Sequence, residues 1–261
     1  MCLLVLAWRC HPRHRLVLAA NRDEFHARPA APLAPWDDMP CIVGGRDLQA
    51  SGAWLAADQR RRFGIVTNFR EFGRRKRSAP SRGGLIPAYL AGSAAPGNQL
   101  QQLETDAPGY AGFNLLLADR DSLWYASNRA DVFARELTPG IYGLSNEFLD
   151  TPWPKLVRVR ARFKALLADE RTSSGDALNA GLFDMLADRE PAPPDTLPPG
   201  DLSPEWARKL SAPFVLDPAY GTRCSTVLTI TDRDELRIVE RRFAADGSPG
   251  GESEYALNAG P

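Results

Sequence analysis

Short apolar runs separated by polar connectors recur along the chain and predict β-hairpins. The first two runs, residues 2–8 and 16–20, flank a polar connector that contains a proline. Runs of this length around a turn segment are typical of paired strands. Three further pairs show the same pattern, at residues 53–58 with 63–69, 113–118 with 122–127, and 225–231 with 235–243. Four local hairpins indicate sheets that are mostly antiparallel.

Apolar residues at helical spacing lie between these hairpins. Thr151 can cap a helix and Pro152 suits a first helical position, so we predict a helix over residues 153–169. A second helix is predicted over 176–188, and two shorter ones over 84–90 and 97–104. The segment 191–204 is rich in proline and is predicted to be an irregular connector that only one hairpin follows. Hairpins with helices between them indicate an α+β fold, which we expect to form a single domain over residues 1–261.

Length, charge and cysteine content exclude several classes of protein. The chain has 261 residues, with Lys plus Arg and Asp plus Glu both at 32, so a generally basic nucleic-acid-binding protein is not expected. No apolar run approaches the roughly 20 residues of a membrane-spanning helix, and the first run is too short for a secretory signal. Four scattered cysteines favour a reducing compartment, so we expect a cytoplasmic protein with no transmembrane segment. The basic run at residues 70–77 is more typical of a solvated loop, and the alternative is attraction of an anionic substrate or a membrane phosphate.

Cys2 is the first candidate for chemistry. If Met1 is removed, Cys2 becomes the amino-terminal residue, with an α-amine whose pKa lies near about 7.7–8. One residue would then supply both a nucleophilic sulfur and its own general base. The alternative is a buried, apolar cysteine at the start of a strand, which is common.

A polar stretch, Asn21-Arg22-Asp23-Glu24, follows the second apolar run and returns toward Cys2 if the hairpin forms. By pattern alone, such a stretch is more typical of a solvated turn. In the alternative, Asp23 would hold the α-ammonium of Cys2, and Arg22 would bind a substrate carboxylate or stabilise a thiolate.

Two other segments carry weaker candidates. Arg223, among hydroxyl and thiol side chains at residues 221–226, is either part of an anion site or part of a polar strand start. Asn146 ends a strand and either donates to an oxyanion or caps a turn.

His11 and His14 lie beside Cys10, but zinc sites normally show clearer ligand pairs, so no metal is predicted. The common glycine-rich nucleotide-binding motifs are absent from the sequence.

Taken together, several short strings resemble the NRDE family, also called the transport and Golgi organisation protein 2 family. They occur in order and cover nearly the whole chain: Met1-Cys2, Asn21-Arg22-Asp23-Glu24, Gly44-Gly45-Arg46-Asp47, Trp54-Leu55, Thr67-Asn68-Phe69-Arg70, Ser81-Arg82-Gly83, Gly112-Phe113-Asn114-Leu115, Gly143-Leu144-Ser145-Asn146 and Gly221-Thr222-Arg223. The resemblance implies an amino-terminal-nucleophile (Ntn) hydrolase-like fold, a four-layer αββα sandwich of two antiparallel sheets.

The broader similarity is to cysteine Ntn amidases of the choloylglycine-hydrolase type. By position it implies five site residues, Cys2, Arg22, Asp23, Asn146 and Arg223, although here the arginine and aspartate are adjacent rather than spaced apart. The implied activity is hydrolysis of an amide bond in a small molecule, with Cys2 as nucleophile and no required cofactor. The family's association with haem trafficking and with lipid or acyl-CoA metabolism implies an alternative, a non-enzymatic carrier of haem or an acyl lipid in the same cleft. A degenerate fold that acts through protein contacts is a third possibility, and the sequence leaves the oligomeric state open.

Overall fold

The computed structural model describes residues 2–71, 79–171, 175–197 and 202–258. Met1 and most of the predicted basic loop, at residues 74–77, lie outside this part of the chain.

Two antiparallel sheets form the centre of the described structure. From edge to edge, the first sheet contains β10 (Gly140–Leu144), β1 (Cys2–Trp8), β2 (His14–Phe25), β11 (Tyr220–Thr231), β12 (Leu236–Phe243) and β13 (Pro249–Leu257). The second contains, in chain order, β3 (Ala30–Pro35), β4 (Ile42–Asp47), β5 (Leu55–Asp58), β6 (Phe63–Asn68), β7 (Phe113–Ala118), β8 (Leu123–Ser127) and β9 (Ala134–Glu136). Every strand pairs antiparallel with its neighbours.

All four predicted hairpins are confirmed: β1 pairs with β2, β5 with β6, β7 with β8, and β11 with β12. The expectation that one hairpin follows the proline-rich segment is wrong, because β13 also pairs with β12. Tyr255 and Leu257 of β13 pack against the core, but most residues of this strand are exposed and its first half is rich in glycine and glutamate, so the apolar alternation is too short to predict it. Backbone pairing along β12 accompanies this limited side-chain burial at the sheet edge.

The described residues form five α-helices: α1 (Leu85–Ala91), α2 (Pro96–Glu104), α3 (Pro154–Ala168), α4 (Gly175–Leu186) and α5 (Pro204–Lys209). The first four lie within two residues of their predicted bounds. The short α5 begins inside the predicted irregular connector, where the Ser203 hydroxyl accepts a hydrogen bond from Trp206 N and so caps the helix. No helix in the described ranges is long and apolar enough to cross a bilayer.

Alternating side chains on each sheet build the layers. On β1, Leu4 and Leu6 pack in a core shared with the second sheet, whereas Leu3 and Val5 pack against α3 and α4. The outer face of the second sheet packs against α1 and α2 in a separate core. This arrangement confirms the four-layer αββα class and the expectation that α3 and α4 share one outer face. Each fully buried leucine or valine contributes roughly 1.5–3 kcal/mol to the hydrophobic stabilisation of these layers.

Candidate functional site

The second strand extends beyond its apolar run and carries the polar stretch into the protein. β2 reaches Phe25, and Asn21, Arg22 and Asp23 are all buried, so the solvated-turn interpretation is wrong. These polar groups are satisfied by distant partners: Asn21 Nδ2 donates to the carbonyls of Leu186 and Pro213, both at 2.9 Å. Because β2 lies between β1 and β11, both edges of its backbone are also paired.

A cavity of about 770 Å³ opens at this end of β1 and β2. Four of the five predicted site residues line it: Cys2, Arg22, Asp23 and Asn146. Cys2 lies directly opposite Arg22 in the β1–β2 ladder. The remaining wall is both aromatic and charged, and it includes Phe25, Arg28, Asp47, Trp54, Asn68, Phe69, Arg70, Arg82, Trp206 and Tyr220.

The backbone nitrogen of Cys2 donates a hydrogen bond to Asn146 Oδ1 at 3.3 Å. Hydrogen bonding of the Cys2 amino group to Asp23 concerns the chain without Met1 and stays a prediction, and the contact with Asn146 leaves room for it because an α-ammonium has three N–H groups. Burial raises the pKa of the Cys2 thiol most strongly. The chain's amino group lowers this pKa, Asp23 raises it and Arg22 lowers it, in decreasing order of effect. The net direction is upward, so the thiol is protonated at neutral pH and requires a base before it can attack.

Asn146 is held between the two sheets. Its Nδ2 donates to the Asn68 carbonyl at 3.1 Å, and its own carbonyl accepts from Arg70 N at 2.7 Å. Its backbone adopts a left-handed conformation with φ of 61°, which asparagine tolerates better than most residues. An amide nitrogen carries two protons, and the Asn68 carbonyl takes one of them. The side chain is therefore oriented by contacts from β1 and from the end of β6.

Asp23 is almost fully buried, and its carboxylate accepts a 2.7 Å hydrogen bond from the Thr222 hydroxyl. The Tyr220 hydroxyl donates to its backbone carbonyl at 3.0 Å. Burial raises the pKa of the Asp23 carboxyl. Lys155 lowers this pKa most strongly, followed by the chain's amino group and the Thr222 hydrogen bond. Asp23 is thus a buried acid whose charge depends on nearby donors and cations.

Arg22 and Arg28 share one carboxylate on the cavity wall. Arg22 Nη2 lies 3.3 Å from Asp47 Oδ2, and Arg28 Nε bonds the same oxygen. Burial alone would raise the pKa of Asp47, but Arg28, the Ala50 N–H and Arg22 together hold it below its ordinary value. The Arg22 guanidinium also lies over the Trp54 ring, 4.2 Å from its centroid. Two cations thus share the Asp47 carboxylate, and Glu24 on the same wall also acts on Arg28.

Arg223 does not line the cavity with the other four. It lies in a β-bulge, because Thr222 pairs with Asp23 and Cys224 pairs with Arg22, which leaves Arg223 without a register partner. Its guanidinium donates to the carbonyls of Phe25, His26 and Arg28, at 2.9, 3.1 and 3.0 Å. Arg223 therefore holds the connection between β2 and β3, and its contact with substrate stays a prediction.

Several cavity residues had no role assigned from sequence. Asp47 and Asn68 belong to strings that carry the family resemblance, so a signal for them existed. Lys155 is buried beside the cavity in the first turn of α3. No sequence pattern indicated this position, since a lone lysine in a helix is normally exposed.

His11 and His14 lie at the opposite end of the β1–β2 hairpin from the cavity. His11 and His14 contact each other through their Nδ1 atoms at 3.2 Å. Burial and the neighbouring His11 lower the pKa of His14 to about 4. Across the described residues, no group of three or more histidine, cysteine or acidic side chains is arranged to hold a metal ion.

These observations define a layered α+β protein with a cysteine-containing cavity at the end of its central hairpin. The family model for "Transport and Golgi organisation 2" matches residues 1–245, and the chain belongs to this family. Relatives include the mouse and human homologues, 32% and 31% identical, with 92% of each chain covered in both cases. The Drosophila melanogaster protein is 26% identical, with 92% of this chain and 91% of the relative covered.

The chain also aligns with a solved structure, the Caenorhabditis elegans N-acylethanolamine-hydrolyzing acid amidase ortholog. The identity is 11% and the TM-score 0.46, with 87% of this chain and 92% of that chain covered. A likeness at this level does not transfer an activity.

Proposed function

We propose that this protein is a cysteine amidohydrolase that cleaves a carbon–nitrogen amide bond in a small molecule. The observation that carries the proposal is the convergence of Cys2, Arg22, Asp23 and Asn146 on one cavity from three separate parts of the sequence. The proposal requires removal of Met1, which frees the α-amine of Cys2.

In this mechanism, the α-amine of Cys2 accepts the thiol proton as the sulfur attacks the amide carbonyl carbon. The carbonyl oxygen becomes an oxyanion, and the Asn146 amide is the donor placed to stabilise it. Collapse of the tetrahedral intermediate breaks the carbon–nitrogen bond, and the leaving amine takes the proton from the α-ammonium. Water then attacks the thioester, with the α-amine again acting as base, and releases the acid and the free thiol.

The raised pKa of the Cys2 thiol agrees with a mechanism in which the thiol is the nucleophile and the α-amine is its base. A resting thiolate would not need a base, whereas a protonated thiol does, and an α-amine with an ordinary pKa near about 8 is matched to that task. Asp23 orients the α-ammonium, and Arg22, directly opposite Cys2, stabilises the thiolate as it forms.

The cavity wall favours a substrate that joins an apolar part to an acidic group. Trp206, Tyr220 and Phe25 supply aromatic surface, while Arg22 and Arg28 share the single charge of Asp47. N-acyl amino acids have this combination, and they contain the amide bond that the mechanism cleaves.

The test measures hydrolysis and binding on the same protein. We expect the Met1-free protein to hydrolyse N-acyl amino acids, and the Cys2→Ala variant to bind them with similar affinity without hydrolysing them. Cys41→Ala, at an exposed cysteine outside the cavity, is the matched control. Hydrolysis that persists in Cys2→Ala would rule out the proposed nucleophile.

The size and aromatic wall of the same cavity also support a second candidate, a carrier that binds an acyl lipid or haem without reaction. Of the described lining residues, only Cys2 and Tyr220 are of the types that hold haem iron. Burial raises the pKa of both groups, and the Tyr220 hydroxyl already donates to the Asp23 carbonyl. The lining therefore suits an acyl lipid better than an iron-ligated haem. Under this alternative, the Cys2→Ala variant would retain full biological function.

A further inference from the structure

Lys155 occupies a position that is unfavourable for a lysine in two ways. It is only 3% exposed, and its Nζ makes no hydrogen bond to any residue that the structure describes. It also lies in the first turn of α3, where the helix dipole favours anions over cations. A buried ammonium requires compensation, and the helix does not supply it.

The compensating charge is on the neighbouring strand. Asp23 shares a face of β2 with Val17 and Ala19, and this face packs against the Leu156 and Val159 side of α3. Burial raises the pKa of Asp23 and lowers that of Lys155, and in each case the other residue is the strongest opposing charge. Each group thus provides the main electrostatic support for the other.

Other polar and charged groups also face this pair. They are Glu24 on β2, the Thr222 hydroxyl on β11, Cys2 on β1 and the chain's amino group. Arg70 faces Lys155 from the segment after β6, and it lines a small cavity of about 30 Å³ together with Lys155 and Ser211. Glu24 opposes ionisation of Asp23 and Arg70 opposes protonation of Lys155, whereas the chain's amino group favours ionised Asp23 less strongly than Lys155 does.

We infer that Lys155 is a positioning residue for the Cys2 site, whose buried ammonium keeps Asp23 ionised and oriented beside Cys2. Thr222 fixes one carboxylate oxygen, and Lys155 maintains the negative charge on the group. Within the proposed function, on which this consequence rests, the ionised Asp23 accepts a hydrogen bond from the amino group of processed Cys2. Lys155 does not contact the substrate and acts only through Asp23.

The direct test is a titration of Asp23 by NMR in protein labelled with ¹³C at the aspartate carboxyls. The signal that is absent from the Asp23→Asn variant identifies the residue. In Lys155→Met, we expect the Asp23 titration to move up by at least about one pH unit, the lower end of the effect of a neighbouring opposite charge. Lys155→Arg, which restores the charge, should bring it back. An Asp23 titration that is unchanged in Lys155→Met would overturn the inference.

A second measurement keeps the inference testable if Lys155→Met does not fold. Removal of one member of a buried charge pair is strongly destabilising, whereas removal of both is tolerated. The double variant Lys155→Met/Asp23→Asn should therefore recover a Tm close to that of the unaltered protein. If it is no more stable than Lys155→Met alone, the two residues are not a pair. Neither measurement uses turnover, so an inactive protein would contradict the proposed function and leave this inference standing.

Discussion

The backbone nitrogen of Cys2 is hydrogen bonded at 3.3 Å to the side-chain oxygen of Asn146, 144 positions further along the chain. The same asparagine reaches the carbonyl of Asn68 at the end of β6. One side chain therefore joins the start of the first sheet to the end of a strand in the second, at the cavity. Both its stability role and its proposed catalytic role follow from this position.

Removal of the Asn146 side-chain amide should separate these two roles. In Asn146→Leu, the Cys2 N–H and the Asn68 carbonyl lose their partners, which we expect to lower the free energy of unfolding by about 1–3 kcal/mol for each buried group left unsatisfied. The left-handed backbone at this position adds about 1–2 kcal/mol of strain for leucine. Asn146→Asp keeps the acceptor and removes the donor, so hydrolysis of N-acyl amino acids should fall by about 10²–10³-fold. Urea unfolding and initial rates measure the two effects. Asn98→Leu, at an exposed position in α2, is the control and should change neither.

The arginine pair around Asp47 should determine recognition of an acidic substrate. We expect Arg28→Met to raise KM for an N-acyl amino acid by about 10–100-fold, which corresponds to the loss of one charged hydrogen bond. KM for the matching neutral amide should not change. Arg46→Met is the matched control, because Arg46 pairs with Asp38 outside the cavity. An equal increase in KM for both substrates would show that Arg28 supports the fold and does not bind the acid.

The pH dependence of Cys2 alkylation tests the electrostatics of the thiol. Because burial raises its pKa, Cys2 should react with iodoacetamide slowly at neutral pH and faster as the pH rises past the ordinary thiol value of about 8.5. Arg22→Met should move the rise to still higher pH, because Arg22 opposes the effect of burial. Mass spectrometry of peptides from timed reactions reports the rate for Cys2 separately from the other cysteines. Rapid alkylation of Cys2 at pH 6 would mean that the site holds a thiolate, contrary to this account.

Acid should destabilise the protein through His14. Burial lowers the pKa of His14 to about 4, so the folded state favours the neutral ring. The stability that neutral His14 provides is fully present above the unfolded-state pKa of about 6.5 and is lost as the pH falls toward 4. The loss is at most about 1.4 kcal/mol for each unit by which the folded-state and unfolded-state pKa values differ. Tm measured across this range should fall less steeply in His14→Gln than in the unaltered protein. His26→Gln serves as the control, and parallel slopes in all three proteins would contradict the assignment.

Local patterns in the sequence predicted the hairpins and the first four helices because turns and periodic apolar residues determine those elements. They did not predict the extension of β2, since Asn21 and Asp23 are satisfied by Leu186, Pro213 and Thr222, which are far away in sequence. The family resemblance identified Cys2, Arg22, Asp23 and Asn146, and the structure places all four on one cavity.

Two features of the site depend on tertiary structure and could not be predicted from local sequence patterns. A bulge at Arg223 turns this residue toward the β2–β3 connection, although its sequence neighbours pair with Asp23 and Arg22. Lys155 is unremarkable in sequence, and its burial against the Asp23 face of β2 emerges only when α3 packs on the first sheet.

The central claim is that Cys2 is a processed, amino-terminal nucleophile, and intact-protein mass spectrometry tests it most directly. The protein should be expressed in its native host and purified. Its mass should be measured before it is mixed with an N-acyl amino acid, and again after a brief reaction that is stopped with acid. We predict a mass that lacks Met1, and a transient adduct of one acyl group that maps to Cys2 and is absent from Cys2→Ala. A protein that retains Met1 fully and acquires no acyl group would contradict the nucleophile and favour the carrier.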